Sequence, residues 1–340
     1  MKLSDFDYDI PVELIAQVPL KERSSSRLMI VKDNIEHKNF SDIINYLEPG
    51  DVLVLNETKV EPCRLTGKKS TGAKTVFLIF NHIKDLDYEV QISSKKPRPG
   101  IIFEFEGGLT AEVISLSGLN FICRFNKDPK PLLEDIGEIP LPPYIKSQTK
   151  ETKEQYQTVY AKNSGSIAAP TAGFHFTPTL LQQIEAKGIQ IIKINLHVGY
   201  GTFLQVKQED ISKHHMHEEQ YEISESAAKA INQRRGRLVI VGTTTLRAIE
   251  SASNKLGIIH PKKSSTDIFI YPPYKFKSQV DILITNFHLP KSTLLMLVSA
   301  FASKATIDKA YQEAIKEKYR FYSFGDAMLL FACNAQSSDQ

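Results

Sequence analysis

Apolar residues along this chain follow two rhythms, and the change of rhythm divides it. Near the start, and again from about residue 150 onward, unbroken apolar runs alternate with segments whose apolar positions recur every three or four residues. RLMIV (Arg27 to Val31), DVLVLN (Asp51 to Asn56), IQIIKINLHV (Ile189 to Val198), RLVIV (Arg237 to Val241), DIFIY (Asp267 to Tyr271) and DILITN (Asp281 to Asn286) predict buried strands. Helices are predicted from Pro11 through Ala16, over SDIINYL with Ser41 as N-cap, and over KETKEQYQTVYAK from Lys150. Further helices begin at Thr177-Pro178, a cap followed by Pro at the first position, and cover LRAIESAS, STLLMLVSAFAS and TIDKAYQEAIKEKY. Between these stretches, TVFLIF, YEVQIS, IIFEF, LTAEVISL and NFICRF are short β-runs punctuated by Gly, Asn, Asp and Pro, ending at the proline-rich LPPY (Leu141 to Tyr144). Strands at such spacing predict a small antiparallel barrel or sandwich. The expected class is α/β plus all-β: a discontinuous α/β domain, residues 1–61 and 148–340, carrying an inserted β-domain at 62–147.

Composition narrows the class of molecule. With 340 residues, 41% hydrophobic and 24% charged, the chain reads as a soluble globular protein too long for one small core. A net charge of +3 permits a polyanionic partner without demanding one. Cys63, Cys123 and Cys333 form no CxxC pair and no disulfide framework, which fits a reducing cytosol. The N-terminus has no signal-peptide core, and LLMLVSAFA falls short of the roughly 18 residues that span a bilayer, so a cytoplasmic protein is expected.

One tract fits neither rhythm. Ser166 to Thr177 reads SIAAPTAGFHFT, packing small residues and then setting His175 between two phenylalanines; LHVGYGTF (Leu196 to Phe203) follows. Such backbone suits close approach by a ligand. Gly199-Tyr200-Gly201 is followed by Leu204 where a dinucleotide fingerprint needs a third glycine, so that motif fails, and a tight turn and a ligand-facing turn stay open. In VIVGTTTLR, Gly242 ends a strand and Thr243, Thr244 and Arg247 open a helix, either as an anion site or as a plain cap. His217-Glu218 pairs a base with a carboxylate in sequence, within a cluster that includes His214 and His215; with no HExxH and no ligand spacing, no metal site is expected. Asn286 and His288 stand where a strand emerges, and Asp326 lies among the aromatics of YRFYSFGDAM.

The order of these motifs is what points further. YQTVYA, AAPTAGFHFT, LHVGYGTF, MHEEQYEI, VGTTTLRAIES, IFIYPPYKF, DILITNFHLPKSTLLMLVSAF and YRFYSFGDAMLL, with FDYDIP…LIAQ.P…R..SRL at the start, closely resemble the S-adenosylmethionine:tRNA ribosyltransferase-isomerases of queuosine biosynthesis. NETKVEPCRL departs from the usual NDTRV.PARL at Glu57, Lys59 and Cys63, Phe174 replaces a leucine, and Tyr200 sits where a small residue is common. The resemblance implies an α/β-barrel-like large domain with an inserted β-barrel. It also implies transfer and isomerisation of the ribosyl part of S-adenosylmethionine, consumed as co-substrate with no prosthetic group and no metal. The acceptor would be 7-aminomethyl-7-deazaguanine at the wobble position of tRNAs with GUN anticodons (Tyr, His, Asn and Asp acceptors), acted on by a monomer with no membrane partner. The products would be epoxyqueuosine in tRNA, adenine and methionine. On this reading His175 and His217 are the leading proton-transfer candidates, with Glu218 and Asp326 behind them. Thr171, Gly173, Phe176, Gly199, Gly201, Thr202, Phe203, Gly242, Asn286 and His288 are expected around the cofactor, with Thr243, Thr244 and Arg247 on its carboxylate or on a tRNA phosphate. A conventional RNA methyltransferase, a non-catalytic tRNA-binding protein and a metal-dependent hydrolase are the alternatives.

Overall fold

Four of the apolar runs become parallel neighbours at the centre of one sheet: Gln190–Leu196, Val52–Asn56, Leu238–Val241 and Ile282–Asn286. Strands buried on both faces need no polar alternation, which is why they read as continuous hydrophobic runs. Ala327–Phe331 pairs antiparallel with Ile282–Asn286 and parallel with Arg27–Val31, and Ile35–Asn39 forms one edge. Glu219–Ile223 and Lys262–Thr266 extend the other side, giving nine strands. The computed structural model describes residues 1–94, 97–118, 120–146, 149–199, 206 and 208–333.

Alternation along the central strands sorts side chains into two cores. Val52, Val54, Leu238 and Ile240 face one layer, which receives the helices Glu225–Asn232, Thr243–Ala252, Thr293–Ala302 and Lys304–Lys316. Leu53, Leu55, Val239 and Val241 face the other, against the helix Pro178–Ala186 and the 3-10 segment Phe40–Tyr46. Among the described residues no helix is long and apolar enough to cross a membrane.

Val60–Leu141 form a separate unit. Its six strands, Arg64–Lys69, Lys74–Lys84, Asp87–Ile92, Ile102–Glu104, Thr110–Ser117 and Asn120–Phe125, close into an antiparallel barrel around Phe77, Phe103 and Phe125. Its first strand, too polar to be predicted, contains Gly67, where a Cβ would stand 2.7 Å from the Phe105 ring.

Several elements differ from the pattern-based expectation. DIFIY is no strand; the polar Lys262–Thr266 is, because it pairs along the sheet edge with Glu219–Ile223, where side chains can stay in water. Ala327–Phe331, not singled out by its pattern, completes the sheet. SDIINYL winds as 3-10 helix capped by Asn39 and Asp42 rather than by Ser41. The helix at Lys150 stops at Gln155, since Tyr156 and Tyr160 turn into the interior. Pro11 opens only the 3-10 turn Val12–Leu14.

Candidate functional site

Parallel strands of one sheet end on the same side, and loops leaving their carboxyl ends make a crevice. Here Val198, Gly242 and Thr285 to Leu289 leave the strands at that edge and line a cavity of about 620 Å³ measured to its open mouth. Its polar groups include Thr171, Thr243, Thr244, Asn286, His288 and Ser323, set among alanines and aromatic rings. The helix Thr243–Ala252 points its N-terminus there with no side-chain cap. Gly242 makes the turn at φ +89°, a conformation a Cβ would strain. Thr245, in the first turn of the helix, is occupied in returning its hydroxyl to Val241 O at 2.6 Å. Small residues and a helix N-terminus, whose first-turn N–H groups have no partner within the helix, suit a ligand bearing a carboxylate or hydroxyls.

A second cleft, of about 310 Å³ when counted out to its open mouth, is lined by Arg23, Ser26, Phe174, His175, Ser323 and Phe324 among others. His175 therefore faces this cavity and not the larger one, where His288 is the imidazole. The 3-10 turn Thr171–His175 carries it inward, where it stacks on Phe40 at 4.8 Å. Its Nδ1 lies 2.7 Å from Ser26 Oγ and its Nε2 2.9 Å from Asn286 Oδ1. Burial pushes the His175 pKa down to about 4, with Asn286 pulling it up and the Arg23 and Arg320 cations adding to the fall. His288, 3.0 Å from Thr285 Oγ1, is pushed down to about 3 by burial. Both rings are neutral near pH 7.

The other expected site residues scatter. His217 and Glu218 are exposed just ahead of the strand Glu219–Ile223, and Glu218 accepts from Ser265. Neither lines a cavity described above. Asp326 is buried, and burial holds its carboxyl above the usual range, but it accepts the backbone N–H groups of Arg27 (2.9 Å) and Arg320 (2.8 Å) and so braces two chain segments. Phe176 is core, edge-on to Phe40 at 5.0 Å. Gly173 serves packing, since a Cβ there would stand 2.0 Å from the Tyr160 hydroxyl oxygen. Gly199 donates its N–H to Glu219 Oε1 at 2.9 Å. Gly201, Thr202 and Phe203 lie outside the described residues.

Arg247 does not reach the mouth of the larger cavity. One turn into its helix, it is buried in an ion pair with Glu219 and donates Nε–H to Ile268 O. The neighbouring glutamates of MHEEQYEI thus play opposite parts, Glu218 outside and Glu219 inside. Strand alternation could have shown it, because Glu219 shares a face with Tyr221 and Ile223. Ser26 and Arg23, also unassigned from sequence, stand in the R..SRL segment of the N-terminal motif.

A mixed sheet with a polar-lined crevice at its carboxyl edge, joined in one chain to a closed β-barrel unit, defines a two-unit α/β enzyme. A family model described as "Queuosine biosynthesis protein" matches residues 3–330. S-adenosylmethionine:tRNA ribosyltransferase-isomerase of Desulforamulus reducens is 50% identical, covering 97% of this chain and 100% of the relative. The protein of that name from Clostridioides difficile is 51% identical with the same coverage. The crystal structure of S-adenosylmethionine tRNA ribosyltransferase from Thermotoga maritima is 35% identical, with a TM-score of 0.53 over 96% of this chain and 99% of that one. The chain belongs to the queuosine biosynthesis protein family and is one of its ribosyltransferase-isomerase enzymes.

Proposed function

We propose that the protein transfers and isomerises the ribosyl moiety of S-adenosylmethionine onto 7-aminomethyl-7-deazaguanine at the wobble position of GUN-anticodon tRNA, releasing adenine and methionine. The larger cavity carries this reading: it joins an uncapped helix N-terminus for a carboxylate to a water-poor floor with a neutral imidazole. The names of the relatives supply the pair of substrates.

The chemistry sets the demands on that floor. The sulfonium acidifies the C5′ protons, so loss of one can open the sugar and expel adenine. The amine of the acceptor then captures the C1′ aldehyde, and ring closure with epoxide formation expels methionine. The aldehyde must be kept from water, which the alanines and aromatic rings of the cavity achieve by exclusion. His288 is the imidazole in contact with this space, and its neutral ring can hydrogen-bond the sugar there without adding a positive charge beside the sulfonium. His217, exposed on the strand approach, has no part in the proposed proton transfers.

Incubation with S-adenosylmethionine and tRNA bearing the aminomethyl base tests the proposal. Free adenine and methionine in equal amounts, with the matching mass gain on the tRNA nucleoside, are expected. S-adenosylhomocysteine as product, or no turnover, would overturn it.

A further inference from the structure

The two cavities of the larger unit share Ser323 and are separated by the hydrogen-bonded pair His175 and Asn286, one lining each. We infer that the smaller cavity is the seat of the acceptor base, a flat heteroaromatic that presents N–H donors, while the larger cavity keeps S-adenosylmethionine. The inference rests on the function proposed above and divides its two substrates between two sites.

Shape comes first. The rings of Phe174 and Phe324 are stacked 6.0 Å apart at 27°, and both line the smaller cavity, so a planar base can lie against this stacked pair though not between its rings. S-adenosylmethionine, with three parts to accommodate, needs the roomier site and its helix N-terminus.

Polarity follows from a chain of hydrogen bonds. The Asn286 amide donates to the carbonyls of Tyr322 at 3.0 Å and Ser323 at 3.3 Å, which leaves its oxygen facing His175. His175 Nε2 must then carry the proton, and Nδ1 presents a lone pair that takes the Ser26 hydroxyl proton at 2.7 Å. The alternative acceptor of that proton, Arg23 O, is 3.3 Å away. With its proton committed, Ser26 Oγ offers the cavity lone pairs only, and these select a ligand N–H. Among the described residues no carboxylate lines the cavity, while the Arg23 guanidinium does, 5.6 Å from the Phe174 centroid. That field favours the neutral amine, the nucleophilic form, over its ammonium.

Ser323 is the gate between the two sites. Tyr322 before it sits at φ +72°, a conformation costly for a residue with a side chain, and Asn286 holds its carbonyl in place. Tyr144 OH is 2.7 Å from Ser323 Oγ. An acceptor amine projecting past Ser323 would meet the sugar in the larger cavity.

The test is a separation of Michaelis constants. Ser26→Ala and Phe324→Leu, the latter keeping apolar volume without a ring face, should raise KM for the modified tRNA about 10-fold, the worth of one hydrogen bond or one stacking contact, and leave KM for S-adenosylmethionine within about 2-fold. Thr244→Val should do the reverse. A rise in KM for S-adenosylmethionine in the first two variants, or no change in either constant, overturns the assignment. A second readout needs no turnover: an anticodon stem-loop carrying the aminomethyl base should bind the wild-type protein more tightly than one carrying guanine, and Phe324→Leu should abolish the preference. Equal affinity of the wild type for both stem-loops overturns the assignment of the small cavity. A preference lost in Phe324→Leu, with no adenine release by the wild type, upholds it and defeats the proposed reaction alone.

Discussion

His175 and His288 are stored in the fold as neutral rings, and this makes stability depend on pH. An unfolded histidine titrates near 6.5, while these two titrate near 4 and 3 when folded. Between those values the unfolded chain binds more protons, so stability rises with pH; it is full above about 6.5 and falls as the solution is acidified. Each ring should cost about 2 kcal/mol between pH 6.5 and pH 5. Urea midpoints across that range should show the loss, and His288→Gln should remove about half of it; a variant with the wild-type slope would contradict the assignment. At Gly173 the constraint is steric. Gly173→Ala forces a methyl onto the Tyr160 hydroxyl and Thr158 and should destabilise by about 1–3 kcal/mol, read as a drop in melting temperature. Neither role shows in the string AAPTAGFHFT, where small residues announce close approach without saying by what.

Elements are tied together at the sheet edge by Glu219. It opens the strand Glu219–Ile223, pairs with Arg247 of the helix Thr243–Ala252 and accepts from Gly199 just beyond the strand Gln190–Leu196. Both charges are buried, and among the described residues Arg247 Nη2 has no hydrogen-bond partner. Glu219→Ala would strand the guanidinium in the interior, at a cost of about 3–5 kcal/mol by denaturant titration. Replacing both partners by methionine should recover most of that loss, since it removes the unpaired charge along with its partner. If the double variant were no more stable than Glu219→Ala, the ion-pair account would fail.

For the whole molecule, the barrel unit has a core of its own, built on Phe77, Phe103 and Phe125 and separate from the two layers on the large sheet. A fragment spanning residues 60–141 should therefore fold alone, giving dispersed amide resonances and a cooperative melt. Broad, collapsed spectra would show instead that the insertion depends on its host. Deletion of the same segment should leave binding of S-adenosylmethionine intact, read by calorimetry, because both cavities are lined by the larger unit.

Read along the chain alone, the class of fold is legible. Short runs buried on both faces, such as VLVLN and LVIV, suit central strands between two layers, and a series of short, turn-punctuated β-runs marks the barrel. Capping signals located the helix Pro178–Ala186, where Thr177 accepts from Leu180 N–H as its type predicts. The motif order carried the family. Which side chains meet is set by packing between distant elements. His175 and His217 looked equivalent along the chain, yet one is stacked on Phe40 and the other stands in solvent. Ser26, His175 and Asn286 are brought together across 149 and 111 residues of sequence separation. Local pattern reports whether a position is apolar and which face of its element it takes; it says nothing of the partner that a distant element delivers to that face. Edge strands were lost for a related reason, since KKSST is held by pairing with its neighbour and not by hydrophobic burial.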